Sequence, residues 1–413
     1  MHTLSLPNRR IHAPSETLLM TATTAERYRT YRGSPLFSMG FRPFFLLAAI
    51  WAAIAVPVWV ASFAGWLPPE HFNRDWHAHE MLFGYLSGVI AGFLLTAVPN
   101  WTGRLPVTGA PLMGLILLWC AGRAAMLIPS FAAAPFIDSA FLFIFAAVVG
   151  REIIAGRNVR NLPVLVLLTV LGSANVLSHL RDLDPELALL GERIGVAVVA
   201  TLVALIGGRI VPSFTRNWMA KRRTKPEPAP PDRFDAVTLA VGAIGLALWA
   251  ISPTLYAAGL VLTLAGVLHF ARLARWQGWR TTDEPLVLVL HLGYFWLASG
   301  LLLQGLAILA PSVVPTASGL HAITAGAFGV MTLAVMTRAS LGHTGQPLAA
   351  TPPIGVIYVL VNLGALVRVI APVFPEHYAA LLALSAVLWS GAFAWFVIVY
   401  APLLLRSRQT SPA

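Results

Sequence analysis

The sequence predicts an all-α polytopic membrane protein with twelve transmembrane helices. Of its 413 residues, 57% are hydrophobic and only 11% are charged, whereas about 25% are charged in an ordinary soluble domain. The mean hydropathy is +0.75. A transmembrane helix takes about 20 residues, so twelve would use about 240, close to the number of hydrophobic residues present. This composition excludes a soluble enzyme and a nucleic-acid-binding protein.

Apolar runs bounded by charges, prolines and glycines define the individual helices. The division between the seventh and the eighth helix depends on the short break at Ser252-Pro253. The predicted helices are 43–63, 77–99, 110–128, 136–154, 161–179, 190–212, 235–252, 254–273, 286–309, 319–340, 353–371 and 377–401.

The distribution of lysine and arginine predicts that both termini lie in the cytoplasm. With this N-in, C-in orientation, 23 of the 28 basic residues fall on the cytoplasmic side, three on the outer side, and two, Arg123 and Arg368, inside helices. Such an excess follows the positive-inside rule. The net charge of +11 then attracts the chain to anionic lipid of the inner leaflet rather than to nucleic acid.

The predicted helices fall into two halves of six. Residues 1–34 are polar and basic without an apolar secretory-type segment, which predicts a disordered cytoplasmic tail. The first half, 35–212, is joined to the second, 235–402, by a basic, proline-rich cytoplasmic linker at 213–234. Residues 403–413 form a second cytoplasmic tail.

A second pattern suggests three repeats of four helices. Helices 3 and 11 each carry one embedded arginine, although helix 7 carries none. Helices 2, 6 and 10 also end on similar sequences, which favours an internal repeat. These sequences are Ala97-Val98-Pro99 with Thr102-Gly103-Arg104, Ile210-Val211-Pro212 with Thr215-Arg216, and Ala334-Val335-Met336-Thr337-Arg338.

Histidines at one depth are the main functional signal. Ionisable residues near a bilayer core are costly, so each is a candidate for function. Several histidines at matching depth, with a single cysteine and few carboxylates, favour imidazole-bound metal: haem iron, copper or both. The alternative is that each is merely an interfacial residue. Six of the eleven fall on the predicted outer side: His71, His77, His79, His179, His321 and His377.

His77 and His79 are about 200° apart around a helix, so they are not expected to chelate one ion together. His77 precedes small residues such as Gly84 on its helix face, and His321 precedes Ala325 in the same way. Two such faces would form a bis-imidazole haem site, or one would leave the sixth position open for a small gas. The alternative for the small residues is close helix packing. His179 and the remaining histidine of helix 2 are the candidate copper ligands.

Arg123 and Arg368 lie in the outer halves of helices 3 and 11, where they would meet haem propionates. The alternative is structural pairing, of Arg123 with Asp138 and of Arg368 with Glu376.

Glu80 is the carboxylate near the start of helix 2. It would donate protons to a reduced substrate, hold a ligand histidine by a hydrogen bond, or pair with Arg74.

The chain resembles the NnrS family of nitric-oxide-responsive, haem- and copper-containing bacterial membrane proteins. Family members usually continue the last of the matching segments with an arginine, where this chain has Gln346. The resemblance implies twelve helices, haem with copper, and a role in nitrosative stress during anaerobic nitrogen-oxide respiration. The matching segments are His77-Ala78-His79-Glu80-Met81-Leu82-Phe83-Gly84, Gly92 to Gly103, Leu118 to Arg123, His291-Leu292-Gly293-Tyr294 and Met336 to Gly345.

These features together predict a metalloprotein of the bacterial inner membrane that binds nitric oxide. Haem is expected between His77 or His79 and His321, and a nitric oxide reductase-like reaction would use Glu80 as proton donor and an electron-donor protein as partner. One alternative is a proton-coupled secondary transporter, which the apolar midplanes of the helices disfavour. Another is a haem-based sensor without turnover.

Overall fold

The computed structural model describes residues 31–225 and 227–407, and in this part of the chain all the regular structure is helical. The main helices are α1 Phe41–Phe63, α2 Arg74–Thr102, α3 Ala110–Ala125, α4 Ala134–Ala155, α5 Leu162–Ser178, α6 Pro185–Lys221, α7 Arg233–Ile251, α8 Tyr256–Ala274, α9 Pro285–Leu309, α10 Thr316–Thr344, α11 Pro352–Ile370 and α12 Tyr378–Leu405.

Ten of these helices in the described residues are long and apolar enough to cross a membrane, which indicates a multi-pass membrane protein. The two others are α3, with only 16 residues, and α4, which carries Asp138, Arg151 and Glu152. Both predicted segments, 110–128 and 136–154, thus contain a helix. The number of twelve membrane crossings stays a prediction.

Several predicted boundaries differ from the structure. α6 does not stop at Pro212 but continues to Lys221, so the predicted linker 213–234 begins in helix and its non-helical part is shorter. Pro212 lies inside this helix, and proline is tolerated in membrane helices where neighbouring groups satisfy the backbone carbonyl that it leaves without a partner. α12 likewise extends to Leu405. Most of the two predicted tails lies outside the described residues.

Capping explains where α2 begins and where α2 and α10 end. The Asn73 side chain accepts hydrogen bonds from the backbone amides of Asp75 and Trp76, both at 2.9 Å, and so starts α2 three residues earlier than predicted. Gly103 ends α2 at φ +69° and Gly345 ends α10 at φ +81°. Glycine adopts this left-handed conformation without the steric penalty of a Cβ. The similar sequences at 210–216 and 334–338 were expected at the ends of helices 6 and 10. In the structure both lie inside helices, because α6 continues to Lys221 and α10 to Thr344.

α2 and α10 are the two most buried of the ten apolar helices and form the centre of the bundle. Tyr85 of α2 and Thr332 of α10 share a hydrogen bond where the two helices meet. α12 packs against α1 as well as α11, so the two ends of the described chain lie side by side. This arrangement places the first turns of α2 and α10 at the same end of the bundle, here called the site end.

Both central helices contain a π-helical turn directly after a histidine. The first is Glu80–Tyr85, after His79, and the second is Ala322–Phe328, after His321. A π-helical turn widens the helix by one residue and changes the direction of the side chains around it, and such turns are frequent at functional sites. The first turns of α2 and α10 thus have a local geometry that a regular helical repeat does not provide.

Candidate metal and cofactor site

The two histidines of α2 lie on opposite sides of that helix. His77 lines a cavity at the site end, whereas His79 is 5% exposed and contacts residues of α4 and α5. This separation agrees with the spacing argument, because residues two apart on a helix point in nearly opposite directions. The site therefore has two parts.

The cavity has a volume of about 350 Å³ and a mainly apolar lining. Its walls come chiefly from α2, α6, α10 and α12, and α11 contributes Arg368. A concave apolar space with few polar groups is the usual form of a small-molecule or cofactor site. The polar and ionisable residues among its lining are Arg74, His77, Tyr85, Glu192, Arg193, Thr316, His321, Thr324, Arg368 and Ser385.

His321 presents one ring nitrogen for a ligand. Its Nδ1 lies 2.7 Å from the backbone carbonyl oxygen of Ala317. A carbonyl only accepts hydrogen bonds, so Nδ1 must carry the hydrogen and Nε2 keeps its lone pair in the neutral ring. A backbone carbonyl that fixes the tautomer in this way is the usual support for a metal-binding histidine.

His77 is held by stacking rather than by a hydrogen bond. Its ring lies 4.3 Å from the ring of Trp59 at an interplanar angle of 20°. Its Nδ1 is buried and has no hydrogen-bond partner. A buried polar nitrogen without a partner is costly. A ligand in the cavity that bonds to His77 would remove this cost.

Arg368 brings an unsatisfied cation to the cavity. It is 8% exposed, and its Nη1 is buried without a hydrogen-bond partner. The guanidinium lies 5.8 Å from the ring centre of Tyr378. The alternative pairing with Glu376 is absent among the ion pairs of the described residues. Nη1 of Arg368 is thus available to bind an anionic group of a ligand in the cavity.

An ion-pair network closes part of the cavity rim. Arg74 lies 2.7 Å from Glu192 and 2.8 Å from Asp75, and Arg181 lies 2.6 Å from the same glutamate. The carboxylate of Glu192 is 8% exposed, so it needs these cations nearby. The network joins the start of α2 to the start of α6 above the cavity.

The second part of the site is a metal triad consisting of His79, Asp138 and His179, whose ligand atoms lie within 4.8 Å of one another. Asp138 Oδ2 is 3.1 Å from His79 Nε2 and 3.0 Å from His179 Nε2. With metal–ligand bonds of about 2 Å, tetrahedral ligands are roughly 3.3 Å apart. The triad therefore has the donor types and spacing of a transition-metal site.

Asn175 orders the triad from α5. Its Nδ2 donates a hydrogen bond to Asp138 Oδ2 at 2.8 Å, which fixes the orientation of the amide. Its Oδ1 then lies 3.0 Å from His79 Nε2. His179 directly follows the last residue of α5 in helical conformation, and because it is four residues from Asn175 the two side chains lie on the same face.

Arg123 and Glu80 flank the triad instead of lining the cavity. The Arg123 guanidinium contacts Glu80 through Nη1 and Asp138 through Nη2. Glu80 is fully buried and accepts a hydrogen bond from His79 Nδ1 at 3.0 Å. The structure thus places Arg123 in the alternative position, that of an ion-pair partner, whereas Arg368 occupies the cavity.

The small residues of α2 serve close packing. A Cβ at Gly88 would lie 3.1 Å from Ala48 and 3.2 Å from Trp119. At Gly84 it would collide with Arg123 and Glu80. These positions therefore allow helices and side chains to approach α2, which is the structural alternative considered for them.

Asp138 and Asn175 are the two site residues that sequence reasoning did not select as ligands or supports. From the sequence Asp138 is expected only as a partner for Arg123, although a carboxylate in the apolar part of a helix is itself a functional signal. For Asn175 the available signal was its four-residue spacing from His179. The π-helical turns had no signal in the residue pattern.

The residues of the two parts of the site suit the two cofactors expected from the sequence, haem and a second metal. For haem, the cavity offers two imidazoles with nitrogens free of protein partners and an arginine with an orphaned buried nitrogen. For a second metal, the triad offers two imidazoles and a carboxylate.

The comparisons with known proteins agree with the resemblance noted in the sequence. The family model described as NnrS protein matches residues 35–408, nearly the whole chain. No curated protein matches it at a significant level. The chain therefore belongs to the NnrS family.

Proposed function

We propose that this protein is a twelve-helix protein of the bacterial inner membrane, with both termini in the cytoplasm, that holds haem in the cavity and binds nitric oxide there. One observation carries the proposal. His77 of α2 and His321 of α10, which are 244 positions apart in the chain, line the same cavity together with Arg368. When bound, haem would supply the iron that takes up nitric oxide.

The residues of the chain have distinct roles in this proposal. His321 would hold the iron, His77 would lie beside the position left open for nitric oxide, and Arg368 would pair with a propionate. The apolar lining excludes water and admits a small uncharged gas from the bilayer. Nitric oxide taken up in this way would be removed from the cell's respiratory environment, which protects against nitrosative stress.

The metal triad is the proposed site of copper. Imidazole nitrogens suit copper among the available transition metals. Reduction of two nitric oxide molecules to nitrous oxide and water takes two electrons and two protons, and a donor protein would supply the electrons. Glu80 is not among the residues that line the cavity, so its support of His79 is favoured over direct protonation of a substrate there.

The test is an optical spectrum and a pyridine haemochrome assay on the detergent-purified protein, before and after nitric oxide. We expect stoichiometric haem with a Soret band that shifts on addition of nitric oxide. His321→Ala should lose most of the haem, whereas His343→Ala, a histidine remote from the cavity lining, should retain it. Full haem retention in His321→Ala would refute the ligand assignment.

Turnover separates the remaining alternatives. Nitric oxide consumption with an artificial electron donor would indicate an oxidoreductase, whereas a spectral shift without consumption would indicate a sensor. Absence of haem and copper, in protein from cells that supply both, would favour the proton-coupled transporter.

A further inference from the structure

Arg193 is a second arginine of the cavity that has no acidic partner in the described part of the chain. It lines the cavity from α6 together with Leu189, Glu192 and Val196. The three- and four-residue spacing of these positions places them on one face of the helix. Glu192, the neighbouring carboxylate, is paired with Arg74 and Arg181 instead.

A backbone carbonyl fixes the guanidinium of Arg193. Its Nε donates a hydrogen bond at 2.8 Å to the carbonyl oxygen of Ala250, in the last turn of α7. Carbonyls in the last turn of a helix have no partner within that helix, so this oxygen is available as an acceptor. The bond uses one of the five N–H donors of the guanidinium, which leaves those of Nη1 and Nη2 for a ligand.

The cavity therefore has two arginines whose charges no carboxylate balances, Arg193 and Arg368. Glu192 is the one carboxylate among the described residues that line the cavity, and it is paired with Arg74. Arginine keeps its charge in proteins, and an unpaired charge beside an apolar space is costly. A ligand with two separate anionic groups would balance both charges, whereas a ligand with one such group would leave a cation without a partner.

The two arginines reach the cavity from different helices. Arg193 belongs to α6 and Arg368 to α11, and both helices pack against the π-helical turn of α10 that follows His321. A ligand held by His321 therefore has an arginine available on each of two neighbouring helices.

We propose that Arg193 is a second anionic anchor of the cavity, which pairs with one propionate of haem while Arg368 pairs with the other. This inference rests on the proposed function, in which the cavity holds haem. It makes α7 part of the binding site, since Ala250 positions the Arg193 guanidinium. It also means that the cavity selects a porphyrin with two free carboxylates over a neutral porphyrin of similar shape.

The test uses haem-free, full-length protein in detergent and three ligands: haem, its monomethyl ester and its dimethyl ester. Binding is followed by the Soret band. With two anchors, affinity should fall at each esterification, by about tenfold or more per step, because each ester removes one charge-assisted pair. A single anchor would instead give one fall, between the monomethyl and the dimethyl ester. This comparison needs no variant, so it does not depend on the folding of one.

Variants then assign the second step to Arg193. Arg193→Leu should bind haem about tenfold more weakly and bind the dimethyl ester as the unchanged protein does, so that one of the two steps disappears. Arg193→Lys keeps the charge and should retain part of that step. Arg209→Leu is the matched control, because Arg209 is another half-buried arginine of α6 that is bonded to Asn161 and does not line the cavity.

Three results would overturn the proposal. A single fall in the ester series, or an Arg193→Leu variant that keeps both steps, refutes the second anchor while leaving haem binding intact. Loss of copurified anionic phospholipid from Arg193→Leu, with both ester steps unchanged, would assign Arg193 to a lipid headgroup. Failure of the unchanged protein to bind haem at all would refute the proposed function, and this inference with it.

Discussion

Arg123→Leu removes the guanidinium that contacts two buried carboxylates, and its effect distinguishes an ion-pair role from a role in haem binding. In the structure Arg123 is 4% exposed, Asp138 is 2% exposed and Glu80 is fully buried. Leucine cannot donate a hydrogen bond or balance a charge. Two carboxylates would then lie close together in an apolar environment without an arginine between them.

The expected cost is a loss of about 3–5 kcal/mol in the free energy of unfolding, the usual result of removing one partner of a buried ion pair. Haem content should stay close to that of the unchanged protein, because Arg123 is not among the cavity-lining residues. The double variant Arg123→Leu with Asp138→Asn removes one of the unbalanced charges. It should therefore be less destabilised than the sum of the two single variants.

The assay is a titration of the detergent-solubilised protein with sodium dodecyl sulfate, followed by tryptophan fluorescence, alongside a haemochrome measurement. Arg368→Leu is the matched control, since it removes a buried arginine for which the described residues offer no carboxylate partner. We expect the opposite result there: a smaller loss of stability and weaker haem retention. The reasoning is refuted if Arg123→Leu loses haem while its stability equals that of Arg368→Leu.

Two further predictions concern helix packing and pH. Gly364→Ala should lower the free energy of unfolding by about 1–3 kcal/mol in the same titration, because its Cβ would lie 2.7 Å from the backbone nitrogen of Trp389. Gly355→Ala in the same helix is the control. Its Cβ would meet nothing within 4 Å, so this substitution should be neutral or stabilising. Arg275 donates hydrogen bonds to Asp232 and lowers the pKa of that carboxyl from 3.8 to about 2. The stability from this contact is therefore complete above pH 3.8 and is lost as the pH falls through about 2. Amide hydrogen exchange at the first turn of α7 would detect this as a lower protection factor, the intrinsic rate divided by the measured rate at the same pH. Equal protection factors on both sides of this range would contradict it.

The sequence by itself determined the helical membrane class and predicted the depth of the histidines. Long apolar runs allow only helices to cross a bilayer, because every backbone polar group must be bonded within the segment. Charged and polar interruptions then set the approximate ends of the helices, and the helical repeat separated His77 from His79. These are local properties, so a pattern of residues is sufficient to predict them.

The opposite roles of Arg123 and Arg368 were decided only by the tertiary structure. In the sequence each is a single arginine in an apolar helix, and propionate binding and ion pairing were equally open for both. α3 packs beside α2 and α4, which bring Glu80 and Asp138 to Arg123. α11 packs against α10 and α12, and the described part of the chain places no carboxylate in an ion pair with Arg368. Which helices are neighbours depends on contacts between distant segments, and those contacts have no local signal in the sequence.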